Sequence, residues 1–477
     1  MQEHLSRPRG IDHVPRGAST GAAGGARCGD LVRISLSVQD GRVTDAGFAA
    51  RGCATLTAAA SAAVALVREG TVLDAARVGP GRLADDLGGL IPSKLHAAEL
   101  VADALHRALG DAVRRQPATA TEPGRVLVAM SGGVDSAVAA LLCAGDQAQV
   151  AAVTLELWAD RDNDAGRSCC SAQAVRAARA VAHGMGLPHF TLDLRAEFRA
   201  GVVEPFVEAH ADGLTPNPCI GCNGHVRLDA MLEFADRLGA GGLATGHYAR
   251  VAFDREGPVL RAGADPAKDQ SYMLAAVEPA TLGRLRFPLG ELRKPAVREL
   301  AGAAGLAVAA KPESQDLCFL AGTDRRSFLA RHGGVRERPG EIVDRRGRVL
   351  GRHRGQHDFT VGQRRGIGVA AAEPLYVLAK DAVANRVTVG PRAQLGRSRV
   401  VVAGATLRRD AARVDSVKLR YRSRPVPCRV TGEPAAGRHR RLELEVAEPV
   451  DGAAPGQLAC LMSGDLVVGH ATIAPYA

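Results

Sequence analysis

The stretch Ser131-Gly132-Gly133-Val134-Asp135-Ser136 places two hydroxyls, one carboxylate and two glycines within six positions. An apolar run ending in Ala129-Met130 leads into it and an alanine- and leucine-rich run follows, which is typical of a buried strand, a tight loop and a helix. Glycines allow a sharp turn close to a ligand, and the N–H groups at a helix N-terminus favour an anion. Glycine-rich strand-to-helix turns without a ligand are common. Hydroxyls at both ends distinguish this one, so residues 129–136 are predicted to bind a phosphate.

A second stretch has the residue types of sulfur chemistry. Cys219 and Cys222 follow Thr215-Pro216-Asn217-Pro218, where two prolines around Asn217 predict a rigid turn. The pair precedes a predicted helix, and a helix N-terminus favours the nucleophilic thiolate. Structural zinc is the alternative for this spacing, but it needs two more ligands and the sequence has no second Cys-x-x-Cys. A third cysteine, Cys318, stands alone beside acidic residues.

Four further residues near the N-terminus have side chains that bind metals: Cys28, Asp30, Cys53 and His96. Each lies where a loop meets a predicted strand or helix. Thiolates with an imidazole suit zinc or an iron–sulfur cluster. Cysteines and histidines this far apart in sequence often have no shared role, so the spacing by itself favours the interpretation without a metal site.

The elements that must position these residues fall into several predicted domains. Residues 1–25 are polar and glycine-rich and are expected to be disordered. Residues 26–110 form an α+β unit of two strands, joined by a turn at Asp40-Gly41, and helices at 54–69 and 97–109. The polar, helix-breaking composition of residues 111–124 predicts a linker.

Residues 125–320 alternate between apolar runs and helical patterns, which predicts a parallel sheet flanked by helices. Ligands bind such sheets at the carboxyl ends of the strands. Leu155 lies near the end of the predicted strand Val150–Leu157, and Gly246-His247-Tyr248 follows the predicted strand Gly242–Thr245. They are therefore expected beside Ala129–Ser136, with Leu155 as a candidate adenine contact.

The last third of the chain reads as short strands separated by turns. Residues 321–395 are rich in glycine and arginine and form a small central domain, and residues 396–477 predict a β-barrel. Arginines and lysines recur along the barrel strands. A solvated barrel surface is the default explanation for these charges, and a surface that contacts phosphates is the more specific hypothesis.

Composition limits the possible functions. The chain has 477 residues, 46% of them hydrophobic, and a formal charge of +10. The length predicts three to four domains. The charge fits a nucleic-acid partner but could also be a solubility feature, and 3% aromatic residues argue against an extensive base-stacking platform. No run could span a bilayer and no secretory signal is evident, so we expect a cytoplasmic protein whose cysteines are thiols rather than disulfides.

Several motifs resemble known families. Ser-Gly-Gly-Val-Asp-Ser resembles the PP-loop of ATP pyrophosphatases, not a Walker loop, since no Gly-Lys-Ser/Thr follows. The same motif occurs with others in the order found in tRNA-specific 2-thiouridylases, a resemblance that covers residues 125–477. The other motifs are Thr-Pro-Asn-Pro-x-x-x-Cys-Asn, Ala-Thr-Gly-His-Tyr, Lys-Asp-Gln-Ser-Tyr, Glu-Ser-Gln-Asp-x-Cys-Phe, Thr-Val-Gly-Gln-Arg-Arg-Gly and Pro-Gly-Gln.

This resemblance implies ATP-dependent 2-thiolation of the wobble uridine of tRNA, with ATP and Mg²⁺ required. It implies that Cys318 carries a persulfide and that Cys222 releases its sulfur through a transient disulfide. It also implies an ATP site and a tRNA-contacting set. The ATP site comprises Ala129, Met130, Ser131, Gly132, Gly133, Val134, Asp135, Ser136, Leu155 and Gly246. The tRNA-contacting set comprises Asn217, Pro218, Cys219, His247, Lys268, Asp269, Gln270, Arg420, Tyr421 and Gln457.

One position departs from this family. Many members have an aspartate where this chain has Cys219, and the aspartate version fits the persulfide route. Cys219, Cys222 and Cys318 together could instead hold a 4Fe–4S cluster with one iron open to sulfide. Both routes are open at this point.

Residues 26–110 resemble the iron–sulfur cluster scaffold family of the IscU/NifU N-terminal type. The resemblance rests on Cys-Gly-Asp, Phe-x-x-x-Gly-Cys-Ala and Lys-Leu-His. It implies that Cys28, Asp30, Cys53 and His96 hold iron, zinc or a cluster. The family has a further cysteine directly after the histidine, where this chain has Ala97. The missing thiolate argues against autonomous cluster assembly by this domain. The remaining possibilities are that the domain delivers or senses sulfur or iron, or that it is degenerate.

Two other functions compete with tRNA thiolation. The chain could be a PP-loop enzyme acting on a small molecule, against which the cysteine pair and basic barrel argue, or mainly an iron–sulfur assembly protein, against which the intact PP-loop argues. The expected partners are tRNA and a sulfur donor such as a cysteine desulfurase or sulfur relay, with no membrane. The expected oligomeric state is a monomer or weak dimer.

Overall fold

The computed structural model describes residues 1–24, 29–146, 149–160, 171–312, 317–320 and 322–476. The chain divides into two compact units. One unit comprises Met1–Ala196, Arg227–His247 and Arg284–Ala321. The other comprises Glu197–Val226, Tyr248–Gly283 and Gly322–Ala477.

The N-terminal domain is a three-stranded antiparallel sheet covered by helices. Its elements are α1 (Gln2–Ser6), β1 (Ser19–Gly24), β2 (Leu31–Gln39), β3 (Arg42–Arg51), α2 (Ala54–Val67), α3 (Val72–Ala75), α4 (Pro80–Asp86), a 3-10 turn (Pro92–Lys94) and α5 (Leu95–Arg114). Asp40 and Gly41 both have positive φ, which is the backbone of a tight hairpin between β2 and β3.

The expectation of a disordered segment at 1–25 is wrong for residues 1–24. Strand β1 pairs along its whole length with β2, and alternate residues are buried. Its small side chains are required by packing, because a Cβ on Gly21 would lie 2.0 Å from the carbonyl oxygen of Ala104 in α5. The small residues of β1 are therefore explained by its close contact with α5. Helix α5 also continues to Arg114, which shortens the predicted linker.

The first unit also contains a parallel five-stranded sheet in the order β10-β7-β4-β5-β6. Its elements are β4 (Arg125–Ala129), α6 (Val134–Gly145), β5 (Gln149–Glu156), α7 (Ala172–Gly184), β6 (His189–Asp193), α11 (Leu228–Arg237), β7 (Gly242–Ala244), β10 (Leu285–Arg286) and α14 (Lys294–Ala303). Between β6 and α11 the chain forms α8 (Arg195–Phe198), a π-helix (Arg199–Val203), α9 (Glu204–Ala211), α10 (Pro218–Gly221) and a second π-helix (Cys222–Arg227). Residues Glu197–Val226 of this stretch belong to the second unit. The parallel sheet and its helices have the predicted α/β architecture.

The second unit holds the central domain and a barrel. The central domain comprises α15 (Arg325–Gly333) and a four-stranded sheet of β11 (Gly340–Val343), β12 (Val349–His353), β13 (Tyr376–Asp381) and β14 (Arg386–Gly390), with a 3-10 turn at Gln356–Asp358. The barrel strands are β15 (Arg397–Leu407), β16 (Ser416–Lys418), β17 (Val426–Val430), β18 (Gly437–Val450), β19 (Leu458–Ser463) and β20 (Leu466–Ile473), with 3-10 turns at Arg392–Gln394 and Ala411–Arg413.

The barrel closes because β15 pairs with both β18 and β20, which leaves no unpaired edge among its six strands. The alternate residues of these strands that point inward form one apolar core. The multidomain prediction with a C-terminal β-barrel is therefore confirmed.

The domain boundaries differ from the expected ones. Strands β8 (Ala249–Asp254) and β9 (Gly257–Ala262) extend the barrel sheet through β20, although they lie within the range predicted for the parallel-sheet domain, and the short helices α12 (Ser271–Leu274) and α13 (Pro279–Leu282) follow in the same unit. Among the described residues, no helix is long and apolar enough to cross a membrane.

Candidate functional site

The loop between β4 and α6 is braced by its own hydroxyls. The N–H of Ser131 donates to Oγ of Ser136 over 3.1 Å, and that hydroxyl donates to the carbonyl oxygen of Gly133 over 3.1 Å. The hydroxyls of Ser131 and Ser136 are 3.2 Å apart. Gly133 is the N-cap of α6, so the N–H groups of the first helical turn have no partner within the helix. The local geometry is that of an anion-binding loop.

Glycines let neighbouring elements approach this loop closely. Gly132 has φ +67°, and a Cβ there would lie 2.6 Å from the carbonyl oxygen of Ala174 in α7. A Cβ on Gly246, just after β7, would lie 2.7 Å from the backbone nitrogen of Ser136. Leu155 is buried near the carboxyl end of β5, which pairs with β4. The predicted ATP-site residues thus gather at one edge of the sheet.

Two lysines that the sequence analysis missed complete this edge. Nζ of Lys294 lies 2.6 Å from Oδ1 of Asp135, and the lysine side chain is 9% exposed. Nζ of Lys311 donates to the carbonyl oxygen of Gly132 over 2.8 Å. Both lysines precede a proline, and this repeated Lys-Pro pair is a signal that could have found them. They add positive charge beside a loop that is suited to phosphate.

His247 is held in a neutral state at this edge. Its Nδ1 is 2.8 Å from Oγ1 of Thr245, and its ring packs edge-on against Phe287. Burial, with a smaller effect from the Arg227 guanidinium, lowers the pKa of His247 to about 3. The imidazole is therefore uncharged near neutral pH and suits a hydrogen bond to a neutral group better than a phosphate contact.

The two cysteines of the Cys-x-x-Cys pair occupy different helical environments. Asn217 is the N-cap of α10, and its Oδ1 accepts from the N–H of Cys219 over 3.1 Å. Cys219 therefore lies in the first turn. Cys222 begins the π-helix and is only 6% exposed. The expectation that both cysteines lie at a helix N-terminus is wrong for Cys222, because α10 and the π-helix are continuous.

The turn before these cysteines is fixed by the chain near the C-terminus. The N–H of Thr215 donates to the carbonyl oxygen of Pro455 over 2.8 Å. Nε2 of Gln457 donates to the carbonyl oxygen of Thr215 over 2.6 Å. Gly456 lies against the same backbone, where a Cβ would come within 2.9 Å of the Thr215 nitrogen. The Pro-Gly-Gln motif thus holds the Thr-Pro-Asn-Pro turn, and Gln457 has a structural contact besides its predicted one with tRNA.

The segment Lys268-Asp269-Gln270 is anchored to the barrel rather than free in solvent. The Asp269 carboxylate accepts from the N–H groups of Gly263 and Ser271, from the Ser271 hydroxyl and from Nζ of Lys418, all within 3.1 Å. Oε1 of Gln270 accepts from the N–H of Tyr248 over 3.0 Å. Lys268 is half-buried. The side chains of Asp269 and Gln270 therefore hold the backbone of this segment in place.

Arg420 and Tyr421 follow β16 on the same unit. Nη2 of Arg420 donates to the carbonyl oxygens of Val361, over 3.3 Å, and of Gly452. Arg420 thus ties the Thr-Val-Gly-Gln motif to the barrel. Tyr421 is half-buried, with its ring 6.3 Å from that of Tyr272.

Cys318, the third predicted cysteine, lies in the first unit and is half-buried in the short described stretch 317–320.

Three of the four predicted ligands in the N-terminal domain come together. The ligand atoms of Asp30, Cys53 and His96 all lie within 4.8 Å of one another, and Oδ2 of Asp30 is 3.3 Å from both Sγ of Cys53 and Nε2 of His96. Cys28 lies outside the described residues. Ala97, in place of the usual cysteine, is fully buried.

The chemistry of these donors fits a metal ion. Nδ1 of His96 is 2.9 Å from the carbonyl oxygen of Ser93, which directs Nε2 toward the other two ligands, the usual arrangement for a metal-binding histidine. Burial by itself would raise the pKa of Asp30, but hydrogen bonds from Cys53 and His96 keep it below its usual value. A carboxylate, an imidazole and a thiolate suit zinc or iron(II).

Comparison with known proteins places all four domains. Residues 1–119 match the family described as NifU-like N terminal domain. Residues 124–322 match the tRNA methyl transferase HUP domain, residues 326–391 the PRC-barrel domain of the same family, and residues 405–473 the aminomethyltransferase beta-barrel domain. A protein of Rubrobacter xylanophilus named bifunctional protein NifU/MnmA is 47% identical over 99% of this chain and 97% of its own. The chain belongs to the bifunctional NifU/MnmA family.

Other relatives of the NifU/MnmA chain match only part of it. Proteins named tRNA-specific 2-thiouridylase MnmA from Sorangium cellulosum and Chloroflexus aurantiacus are 43% and 42% identical. Each alignment covers 73% of this chain and 92% or 98% of the relative. The uncovered share corresponds in size to the NifU-like domain. Both resemblances found in the sequence are thereby confirmed.

Proposed function

We propose that this protein is a tRNA-uridine 2-sulfurtransferase that uses ATP to thiolate the wobble uridine of tRNA. The braced loop from Ser131 to Ser136, with Lys294 and Lys311 beside it, carries this proposal because it is built for a polyphosphate. The relatives named as 2-thiouridylases support the choice of substrate. Reduced cysteines suit the cytoplasm, where we place the reaction.

In the first step the uridine C2 oxygen attacks the α-phosphorus of ATP, and the bond to the bridging oxygen breaks to release pyrophosphate. Mg²⁺ enters with ATP as part of the substrate. The N–H groups at the start of α6 and the two lysines stabilise negative charge on the departing pyrophosphate. Leu155 and Gly246 form the surface for the adenosine, and the adenylated oxygen later leaves as AMP.

In the second step sulfur replaces the activated oxygen. The terminal sulfur of a Cys318 persulfide attacks C2 of the uridine. The Cys222 thiolate attacks the inner sulfur, a Cys222–Cys318 disulfide forms, and the electron pair of the broken S–S bond stays with the transferred sulfur. A dithiol reductant then restores both thiols. The sulfur donor is a cysteine desulfurase or a sulfur relay.

The alternative donor is a 4Fe–4S cluster held by Cys219, Cys222 and Cys318. Three thiolates leave one iron without a protein ligand, and when bound such a cluster would supply a site for sulfide. Cys219 in the first turn of α10 is the residue that favours this route. Iron and sulfide assays on anaerobically purified protein decide between the routes, since an iron-free enzyme that is fully active with a persulfide donor eliminates the cluster.

The basic surface of the second unit is our proposed tRNA contact. Asn217, Pro218 and Cys219 are proposed to face the target base. The other proposed tRNA contacts on this unit are Lys268, Asp269, Gln270, Arg420, Tyr421 and Gln457, and His247 is a proposed contact on the first unit. Arginines on or after the barrel strands extend it and contact phosphates. They are Arg422, Arg424, Arg438, Arg440 and Arg441.

The NifU-like domain supports a second candidate function, iron–sulfur assembly or delivery. The preformed Asp30, Cys53 and His96 cluster favours it. We propose that this site, with Cys28, binds zinc or iron and supplies or senses iron or sulfur for the thiolation reaction. Loss of the thiolate at Ala97 weakens the case for cluster building as the main activity.

The deciding experiment is mass spectrometry of tRNA nucleosides from a strain lacking the protein and from complemented strains. We expect 2-thiouridine to be lost and to return with the wild type but not with Cys222→Ser or Cys318→Ser. Cys428→Ser is the control, because burial raises the pKa of that barrel thiol to about 12 and leaves it inert. Unchanged 2-thiouridine, or loss of a methylated nucleoside instead, refutes the proposal.

A further inference from the structure

Helix α5 of the NifU-like domain carries a polar face that is not directed at solvent. Asp103, His106, Arg107, Gly110 and Arg114 recur at helical spacing and so lie on one side of the helix. A Cβ on Gly110 would lie 2.1 Å from the carbonyl oxygen of Thr191 in β6. The polar residues on this face are therefore packed directly against the backbone of β6, the edge strand of the parallel sheet.

The contacts along this face are specific. Nδ1 of His106 is 2.6 Å from the carbonyl oxygen of His189, and Nη1 of Arg114 donates to that of Asp193 over 3.0 Å. The N–H of His189 donates to the carbonyl oxygen of Ala76 over 2.9 Å. The NifU-like domain thus covers the open edge of the sheet through hydrogen bonds to its backbone.

Arg107 reaches the nucleotide edge of the sheet. Its Nε lies 3.2 and 3.0 Å from the two carboxylate oxygens of Glu156, and its Nη2 lies 2.5 Å from Oε1. Nη1 donates to the carbonyl oxygen of Ala22 over 2.7 Å, which fixes the guanidinium to β1. The Glu156 side chain is 8% exposed. This is a two-oxygen guanidinium–carboxylate pair, the geometry that lysine cannot reproduce.

Glu156 lies beside the proposed adenosine site, so its pair with Arg107 affects the nucleotide edge of the sheet. Glu156 is the last residue of β5 and directly follows Leu155, the proposed adenosine contact. A buried carboxylate without its cation at this edge would repel a polyphosphate and favour rearrangement of the strand end. Arg107 neutralises that charge and holds the strand end in place.

The same helix restrains the other side of the loop. Asp103 pairs with Arg179 and Arg176 of α7 over 2.8 Å each. The first turn of α7 contributes the Ala174 carbonyl that packs against Gly132. Helix α5 therefore contacts both β5 and α7, the two elements that contribute Leu155 and Ala174 beside the phosphate loop.

We propose that the NifU-like domain is a structural part of the ATP site, with Arg107 as a positioning residue that acts through Glu156 on the adenosine end of β5. The proposal rests on the proposed function only in placing ATP at this loop. It requires neither tRNA thiolation nor metal binding by the NifU-like domain.

The test measures ATP binding to the full chain by titration calorimetry, with steady-state thiolation in parallel. Arg107→Met should weaken ATP binding at least tenfold and raise KM for ATP while leaving KM for tRNA near wild type, and it should lower the melting temperature because Glu156 is left buried without its cation. Arg107→Lys should retain part of the affinity, because it keeps the charge without the fork. The double variant Arg107→Met/Glu156→Gln should recover most of it, because no buried charge is then left unpaired.

Arg115→Met is the matched control, since Arg115 is the C-cap residue of the same helix and forms an exposed pair with Asp111. ATP affinity of Arg107→Met equal to that of the control overturns the proposal. So does a loss that the double variant does not repair, or one that comes with an equal rise in KM for tRNA. A wild-type chain that binds ATP without thiolating tRNA refutes the proposed function and leaves this inference standing.

Discussion

Replacing Asp103 by alanine is expected to destabilise the first unit far more than removing an exposed charge from the same helix. Asp103 is 6% exposed and pairs with Arg179, which is 2% exposed, and with Arg176, which is 38% exposed. Arg176 can turn into water after the substitution, but Arg179 cannot. Leaving a buried guanidinium without its carboxylate costs about 3–5 kcal/mol, a large part of a typical stability of about 5–15 kcal/mol.

The single tryptophan of the chain makes this measurable. Trp158 lies two residues after β5 and belongs to the first unit, so its fluorescence during urea unfolding reports that unit. With a denaturant slope of about 3 kcal/mol per molar urea, the midpoint should fall by about 1–1.7 M. Asp111→Ala is the control, because its pair with Arg115 is exposed and an i,i+4 pair contributes only about 0.5 kcal/mol. Its midpoint should shift by less than about 0.2 M.

A double variant separates the unpaired charge from lost packing. Asp103→Ala/Arg179→Leu removes both charges and should recover most of the lost stability, since apolar replacement of a buried pair is often neutral. Equal midpoints for Asp103→Ala and Asp111→Ala would refute the reasoning, as would a double variant no more stable than Asp103→Ala.

Three further outcomes are expected. Lys294→Met should weaken ATP binding about tenfold or more, because it removes the cation beside Asp135, as measured by titration calorimetry. Gln457→Ala should lower thiolation and leave ATP binding unchanged, because it frees the Thr215 turn before Cys219; nucleoside mass spectrometry and calorimetry check this. Burial lowers the pKa of His183 to about 4. The unfolded chain therefore takes up this proton first. The free energy of unfolding should fall by about 1.4 kcal/mol per pH unit for each such histidine as pH drops from 6.5 to 4, and the melting temperature should fall with it.

Each of these has a contrary result. Wild-type ATP affinity in Lys294→Met would remove that lysine from the site. Loss of ATP binding in Gln457→Ala would show a wider role than positioning the turn. A melting temperature independent of pH over this range, or equal pH dependence after replacing His183 with glutamine, would contradict the assignment of a buried neutral imidazole.

Much of the architecture follows from local patterns in the sequence. The hairpin at Asp40-Gly41 needs only two residues with positive φ, and the barrel strands follow from alternation over a few positions. The N-terminal strand β1 was missed for an equally physical reason. Its glycines and alanines have weak strand propensity, and only the carbonyl of Ala104 in α5 explains why nothing larger fits at Gly21.

Local sequence is sufficient to predict the phosphate loop, because the turn, the hydroxyl brace and the helix start all lie within residues 129–136. It also placed the metal-binding residue types Asp30, Cys53 and His96 at loop ends. Only the tertiary structure decided which distant residues complete the sites. The pairings of Lys294 with Asp135 and of Arg107 with Glu156 join residues far apart in the chain. Local propensity carries no information about which buried charge will meet which, since packing makes that choice.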